Sequence, residues 1–104
     1  MIVTTSDNVH GREIQESFGI CRGSAIRARH MGKDILAGLK NIVGGEMHEY
    51  SKLLAETREH ALDRMMEAAR SKGAAAVVAV RYASTSISQG AAEFLAYGTA
   101  VKLS

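Results

Sequence analysis

Aromatic residues are scarce: 104 residues hold three tyrosines, two phenylalanines and no tryptophan. Each aromatic that stacks on a base contributes about 1–3 kcal/mol, so little is available for gripping nucleic acid by stacking. The single cysteine, Cys21, excludes an intrachain disulfide and suits a reducing compartment. It also excludes the Cys-x-x-Cys pair that gives a soft-metal carrier its affinity and exchange route. Long apolar runs are missing as well. The longest, residues 74–80, has seven residues, whereas a membrane-spanning helix needs ~20. No basic region followed by an apolar stretch opens the chain, which begins Met1, Ile2, Val3, Thr4, Thr5, Ser6, Asp7, and a mature cytoplasmic chain is expected. An excess of one charge is the last absence. Thirteen Lys and Arg residues face eleven Asp and Glu, a net charge of +2. A nucleic-acid partner calls for a concentrated basic face, and the densest group here, Arg22, Arg27, Arg29, His30 and Lys33, reads as a solvated face and turn.

What the chain does have is the composition of an ordinary globular protein, 46% hydrophobic and 23% charged, at a length that makes a single domain over 1–104. Its most organised stretch is 46–72. Tyr50, Leu53, Leu54, Ala61, Leu62, Met65, Met66 and Ala69 recur at spacings of three and four, which predicts one amphipathic helix with Lys52, Glu56, Glu59, Asp63, Glu67 and Arg70 on its outer side. Glu46 and Glu49 suit the positive end of its dipole, Arg70 and Lys72 the negative end, and Gly73 is placed as C-cap.

Strands are expected on both sides of this helix. Residues 2–5 are β-branched throughout, and 12–29 approximate period two, with Ile14, Phe18 and Ile20 on one side and Gln15, Ser17, Gly19 and Cys21 on the other. Gly19 and Gly23 inside that strand predict a bulge or a close backbone approach, hence a bent strand. A short helix over 35–43, capped by Asp34 and ended by Gly44 and Gly45, precedes the long one. A strand over 74–82 follows, with small residues Ala74, Ala75, Ala76 and Ala79 that would admit the long helix closely. Ser84–Ser88 extends it as a polar, protruding or edge portion, and Gln89 with Gly90 makes the turn. The closing strand around Phe94–Leu103 is apolar or small on both faces, which predicts burial on two sides, by a neighbouring subunit as readily as by an internal layer. The fold class is α+β: a two-layer β-β-α-α-β-β subunit, one long helix on a mostly antiparallel sheet.

Chemistry is sparsely encoded. His10, His30, His48 and His60 never fall three or four apart, so no helix presents two imidazoles to one metal. The candidates for a divalent or soft metal ion are Glu56, His60 and Asp63, which share a helix face, together with Cys21 and His30. The helix trio also fits the ordinary charge ladder of an exposed surface, and Cys21 fits a small buried hydrophobe. No Gly-x-Ser-x-Gly nucleophile elbow occurs, and no Walker lysine follows Gly44 and Gly45, whose anion-binding potential Glu46 and Glu49 oppose. No catalytic residue is indicated.

Several stretches, in order, resemble the YbjQ family of small bacterial proteins: 11–14, 18–23, Asp34, Gly44 and Gly45, Tyr50, Arg58 and Glu59, Met65, Ala69, 73–78 and 97–101. The resemblance spans nearly the whole chain. It implies an α+β subunit assembled into a homopentameric ring, with a heavy-metal-binding label and no established activity. This chain departs from the family in having Ala75 where an amide or acidic residue is common, Ala79 where glycine is common, and Cys21 where an aliphatic residue is usual. A family-wide metal site therefore does not depend on Cys21. A ring axis multiplies one residue into several, so Cys21 or His30 could compose a metal site only in the assembly. Two functional expectations follow: a non-enzymatic cytoplasmic ring that binds a metal ion or small ligand at subunit interfaces, or an enzyme whose active site is composed across them.

Overall fold

The computed structural model describes residues 1–28, 45–88 and 91–104. The expected short helix over 35–43 with its Asp34 cap, the turn at Gln89 and Gly90, and the candidate His30 lie outside the described residues. The described elements are β1 (Ile2–Val3), β2 (Ile14–Ala28), α1 (Gly45–Ser71), β3 (Ala76–Ser88) and β4 (Ala91–Leu103). The strands form one sheet in the order β1-β3-β4-β2. β1 runs parallel to β3, while β3 with β4 and β4 with β2 are antiparallel. The helix lies on one face, chiefly against β2 and β4. This is the α+β, two-layer, mostly antiparallel arrangement expected, drawn out to 53 × 23 × 15 Å.

The helix forms where the periodicity places it. Thr57, Ala61, Met65 and Ala69, four apart, are its fully buried line, flanked by half-buried Leu62, Met66 and Ala68. Lys52, Glu56, Glu59, Asp63, Glu67 and Arg70 are all exposed. Its end is a Schellman turn: Gly73 adopts φ +83°, its N–H donates to the Arg70 carbonyl at 2.9 Å, and the Ala74 N–H donates to Ala69 at 3.1 Å. The C-cap assigned to Gly73 is therefore the one present.

The face of β2 that receives the helix is the small one. Cys21, Gly23 and Ala25 are buried there, whereas Ile20 and Ile26 point to the other face, 70% and 57% exposed. A β-carbon on Gly23 would meet the Met65 nitrogen and the Ala61 carbonyl, and would lie 2.6 Å from the Arg64 carbonyl carbon. Helix backbone thus rests directly on strand backbone, and only glycine fits. The close approach comes at Gly23 of β2 and not at the alanines of 74–79, whose strand barely meets the helix. Two side chains reach back from the helix side to the outer edge of β2: Arg64 donates to the Ser24 carbonyl at 2.6 Å and Lys72 to the Ile20 carbonyl at 2.8 Å. Both bonds occupy acceptors that an added strand would need.

Bulges bend the long strands. In β2, register slips between Ile14 and Glu16 and again between Ser17 and Gly19, where Gly19 takes φ +85°. In β3 it slips between Val78 and Arg81, and Ala79 sits at φ +54°. That bulge lets Val77 and Val80, three residues apart, both enter the core under the helix. It also turns the Ala79 and Val80 N–H groups onto the Ser6 and Thr4 carbonyls at 2.8 and 3.0 Å, fastening the N-terminal segment. Ser84–Ser88 belongs to β3 and pairs with Ala91–Phe94 on one side, with a second slip of register between Ser86 and Ser88.

A second, smaller core lies on the face away from the helix. Ala76, Val78, Val101 and Leu103 are buried there under Val9 and Ile14. The expected two-sided burial of the closing strand is real at this end, and the chain's own segment supplies the second cover. Val101, 1% exposed, is satisfied without a neighbour.

Candidate functional site

Cys21 sits in the main core at 2% exposure, on the floor of a recess of about 390 Å³ walled by Ile20, Arg22, Ala68 and Lys72. Burial raises its thiol pKa above the ordinary 9.0, outweighing the opposing pull of the Lys72 ammonium and a backbone hydrogen bond. Metal binding requires the thiolate, and it requires further donors. Here the thiol is held protonated, and a cation rather than a carboxylate or imidazole stands over it. Cys21 as it stands in the single chain does not fit a soft metal ion.

The helix trio does not fit one either. Glu56, His60 and Asp63 are exposed in sequence along α1, as the charge-ladder reading has it. His60 and Asp63 do share a recess of about 270 Å³, but with Arg64 and Glu67 rather than Glu56. The Arg64 guanidinium brings positive charge to that recess. Among the described residues, no three His, Cys, Asp or Glu side chains converge as a metal site would need. His10 is exposed on the N-terminal segment, far in sequence from the helix. A heavy-metal function thus finds no first set of ligands among the described residues of one chain. The only buried polar side chain among the described residues, Thr57, is satisfied: it donates to the Leu53 carbonyl at 2.8 Å and accepts from Arg27 Nε at 3.3 Å.

The surface that stands out is the sheet face opposite the helix. Beyond the reach of the second core, β2 presents Ile20, Arg22, Ser24 and Ile26 on this face, β4 presents Leu95, Tyr97 and Thr99, and β3 presents Arg81, Ala83 and Thr85. Ile20, Ile26 and Tyr97 are exposed, the last at 37%. More exposed apolar side chains lie at the opposite margin: Met1 and Ile2 at β1, and Tyr82 of β3, which stands opposite Ala96 and so on the helix side of the sheet. Sequence reasoning found Ile20 as part of an apolar face and did not assign that face to solvent. The signal was present in the glycine and alanine of the other face, which only a closely packed helix explains.

Together these features define a class: a small α+β subunit, one helix over a mixed four-stranded sheet, with no catalytic constellation among the described residues and with apolar surface left uncovered. The fold matches the structure of a Pediococcus pentosaceus protein of unknown function assigned to the DUF74 family, with a TM-score of 0.67 over 100% of this chain and 98% of that one at 11% identity. A family described as "Putative heavy-metal-binding", the YbjQ-type family, matches residues 1–104, and the chain belongs to it. A UPF0145 protein of Methanosarcina acetivorans is 54% identical over 99% of this chain and 97% of its own length. UPF0145 proteins of Clostridioides difficile and Thermus thermophilus are 53% and 52% identical over 99% of this chain. The relatives include archaea as well as bacteria, so the bacterial range implied by the resemblance is too narrow. No helix among the described residues is long and apolar enough to cross a membrane.

Proposed function

We propose that this protein is a non-enzymatic cytoplasmic subunit that acts as a closed ring of copies, a pentamer as the family resemblance implies, and that it holds a small ligand against the sheet face. The observation that carries the reading is the distribution of exposed apolar side chains. Ile20 and Ile26 occupy the β2 margin of the sheet, and the β1–β3 margin carries Met1 and Ile2 at β1 and Tyr82 on the helix side of β3. Two different patches on opposite margins are what a head-to-tail contact needs, and such contacts close into rings when the rotation per subunit allows. Lys72 and Arg64 block carbonyls on the β2 edge, which favours side-chain packing over strand addition. The buried, unpaired Cys21 suits a reducing cytoplasm.

The test uses two variants, Ile26→Asp and Tyr82→Asp, each spoiling one margin. Either alone should fall to a monomer by light scattering, and an equimolar mixture should recover a one-to-one pair through the two intact margins. Glu59→Lys, on the outer side of the helix, should leave the mass unchanged. Variants that retain the wild-type mass would overturn the head-to-tail reading.

A further inference from the structure

Across the sheet face away from the helix runs a row of three polar side chains, one from each of β2, β4 and β3. Tyr97 is on the central strand β4, and register sets Arg22 of β2 directly opposite it on one side and Arg81 of β3 directly opposite on the other. Directly opposed residues share a face, and this face is the one away from the helix, since Ala96, Cys21 and Val80 beside them all enter the main core. The row therefore reads Arg–Tyr–Arg across three strands, with neighbouring strands about 4.8 Å apart. All three residues are exposed. Arg81 is held in place, because one terminal nitrogen donates to the carbonyls of Thr5 at 3.0 Å and Val80 at 2.9 Å. Its other nitrogens have no hydrogen-bond partner among the described residues. The one carboxylate on this face of the three strands within the described residues, Glu93, lies two rows away, opposite Ile26 and Thr85.

We infer that the Arg22–Tyr97–Arg81 row is a binding site for a small ligand carrying a planar aromatic ring and a phosphate, the chemistry of a nucleoside monophosphate. An exposed phenol ring offers a stacking plane, and guanidinium groups on both sides supply charge-assisted bonds to phosphate oxygens. Neither feature alone selects the ligand: a bare anion uses only the guanidinium groups, and an uncharged nucleoside uses only the ring. Ile20 and Leu95, in the rows on either side, border the site with apolar surface that the ring of the ligand covers. The inference deepens the small-ligand part of the proposed function and does not require the ring of subunits.

The test is calorimetric titration of the intact protein with adenosine monophosphate, adenosine and inorganic phosphate, with the mass followed by light scattering throughout. The monophosphate should bind at least tenfold more tightly than either fragment. Arg81→Ala and Tyr97→Leu should each weaken it tenfold or more, Arg22→Ala likewise, and Arg58→Ala on the helix should leave it unchanged. Arg81 is the deciding position, since Arg22 lies between Ile20 and Ile26 and its substitution can also alter the mass. Lost binding with an unaltered mass supports the site whatever becomes of the assembly reading. No binding of the monophosphate by the wild type, or equal binding by the Arg81→Ala protein, overturns it.

Discussion

At the scale of single residues, two positions carry strain or burial that a measurement can read. Ala79 holds φ +54° at a bulge, a conformation that costs a residue with a β-carbon roughly 1–2 kcal/mol and costs glycine almost nothing. The greater freedom of glycine in the unfolded chain returns about 0.4–1 kcal/mol of that. Ala79→Gly should therefore raise stability by about 0.5–1 kcal/mol, visible as a higher urea midpoint at an unchanged slope. Glycine is also the residue that the family resemblance places there, and the bulge gives the physical reason. Cys21 supplies the second reading. Its thiol pKa is raised by burial, so the stability it contributes is present below the unfolded-state value near 9.0 and is lost as pH rises through the folded value. Compared with Cys21→Ala, the wild type should lose stability progressively above about pH 9, and its thiol should react with a disulfide reagent far more slowly when native than when unfolded at neutral pH.

At the scale of elements, the long helix, its cap and its buried line were readable because the 3.6-residue period repeats over 27 residues and the C-terminal glycine has a single geometric use. The strands were readable as strands, and their faces were not. Period-two reasoning assigns faces by counting, and each bulge shifts the count by one: β2 has two such slips before Cys21, and β3 has one at Ala79. Apolarity misleads in the same place, because the helix seats its backbone on Gly23 and so selects the small face of β2 over the isoleucine face. The candidate metal ligands were legible only as residue types. Nothing in their spacing shows that Cys21 lies beneath Lys72 or that Glu56 stays apart from the recess of His60 and Asp63. The second core changes what a substitution at Val101 reports. Val101→Asp buries an unpaired charge among Ala76, Val78 and Leu103, and it should cost about 3–5 kcal/mol of folding stability in the single chain. Chemical denaturation measures that loss, and an undiminished midpoint would show that this face is open to solvent.

At the scale of the whole molecule, the described residues form a thin, elongated two-layer body, 15 Å in its shortest dimension, with one side of the sheet left largely bare. A domain of this size buries somewhat over ~60% of the surface its unfolded chain exposes, and the exposed Ile2, Ile20, Ile26 and Tyr82 at its margins are surface that a partner would cover. In the proposed ring, copies of the same chain meet that need without another component, since each carries both margins. The row of Arg22, Tyr97 and Arg81 crosses the bare face of the sheet, with Arg22 beside the β2 margin. The central claim is that the chain completes itself by assembly. Light scattering of the intact protein over a dilution series tests it most directly. A single mass about five times the 11.1 kDa chain, constant on dilution, is the predicted result, and a particle of 11.1 kDa at every concentration would contradict the account.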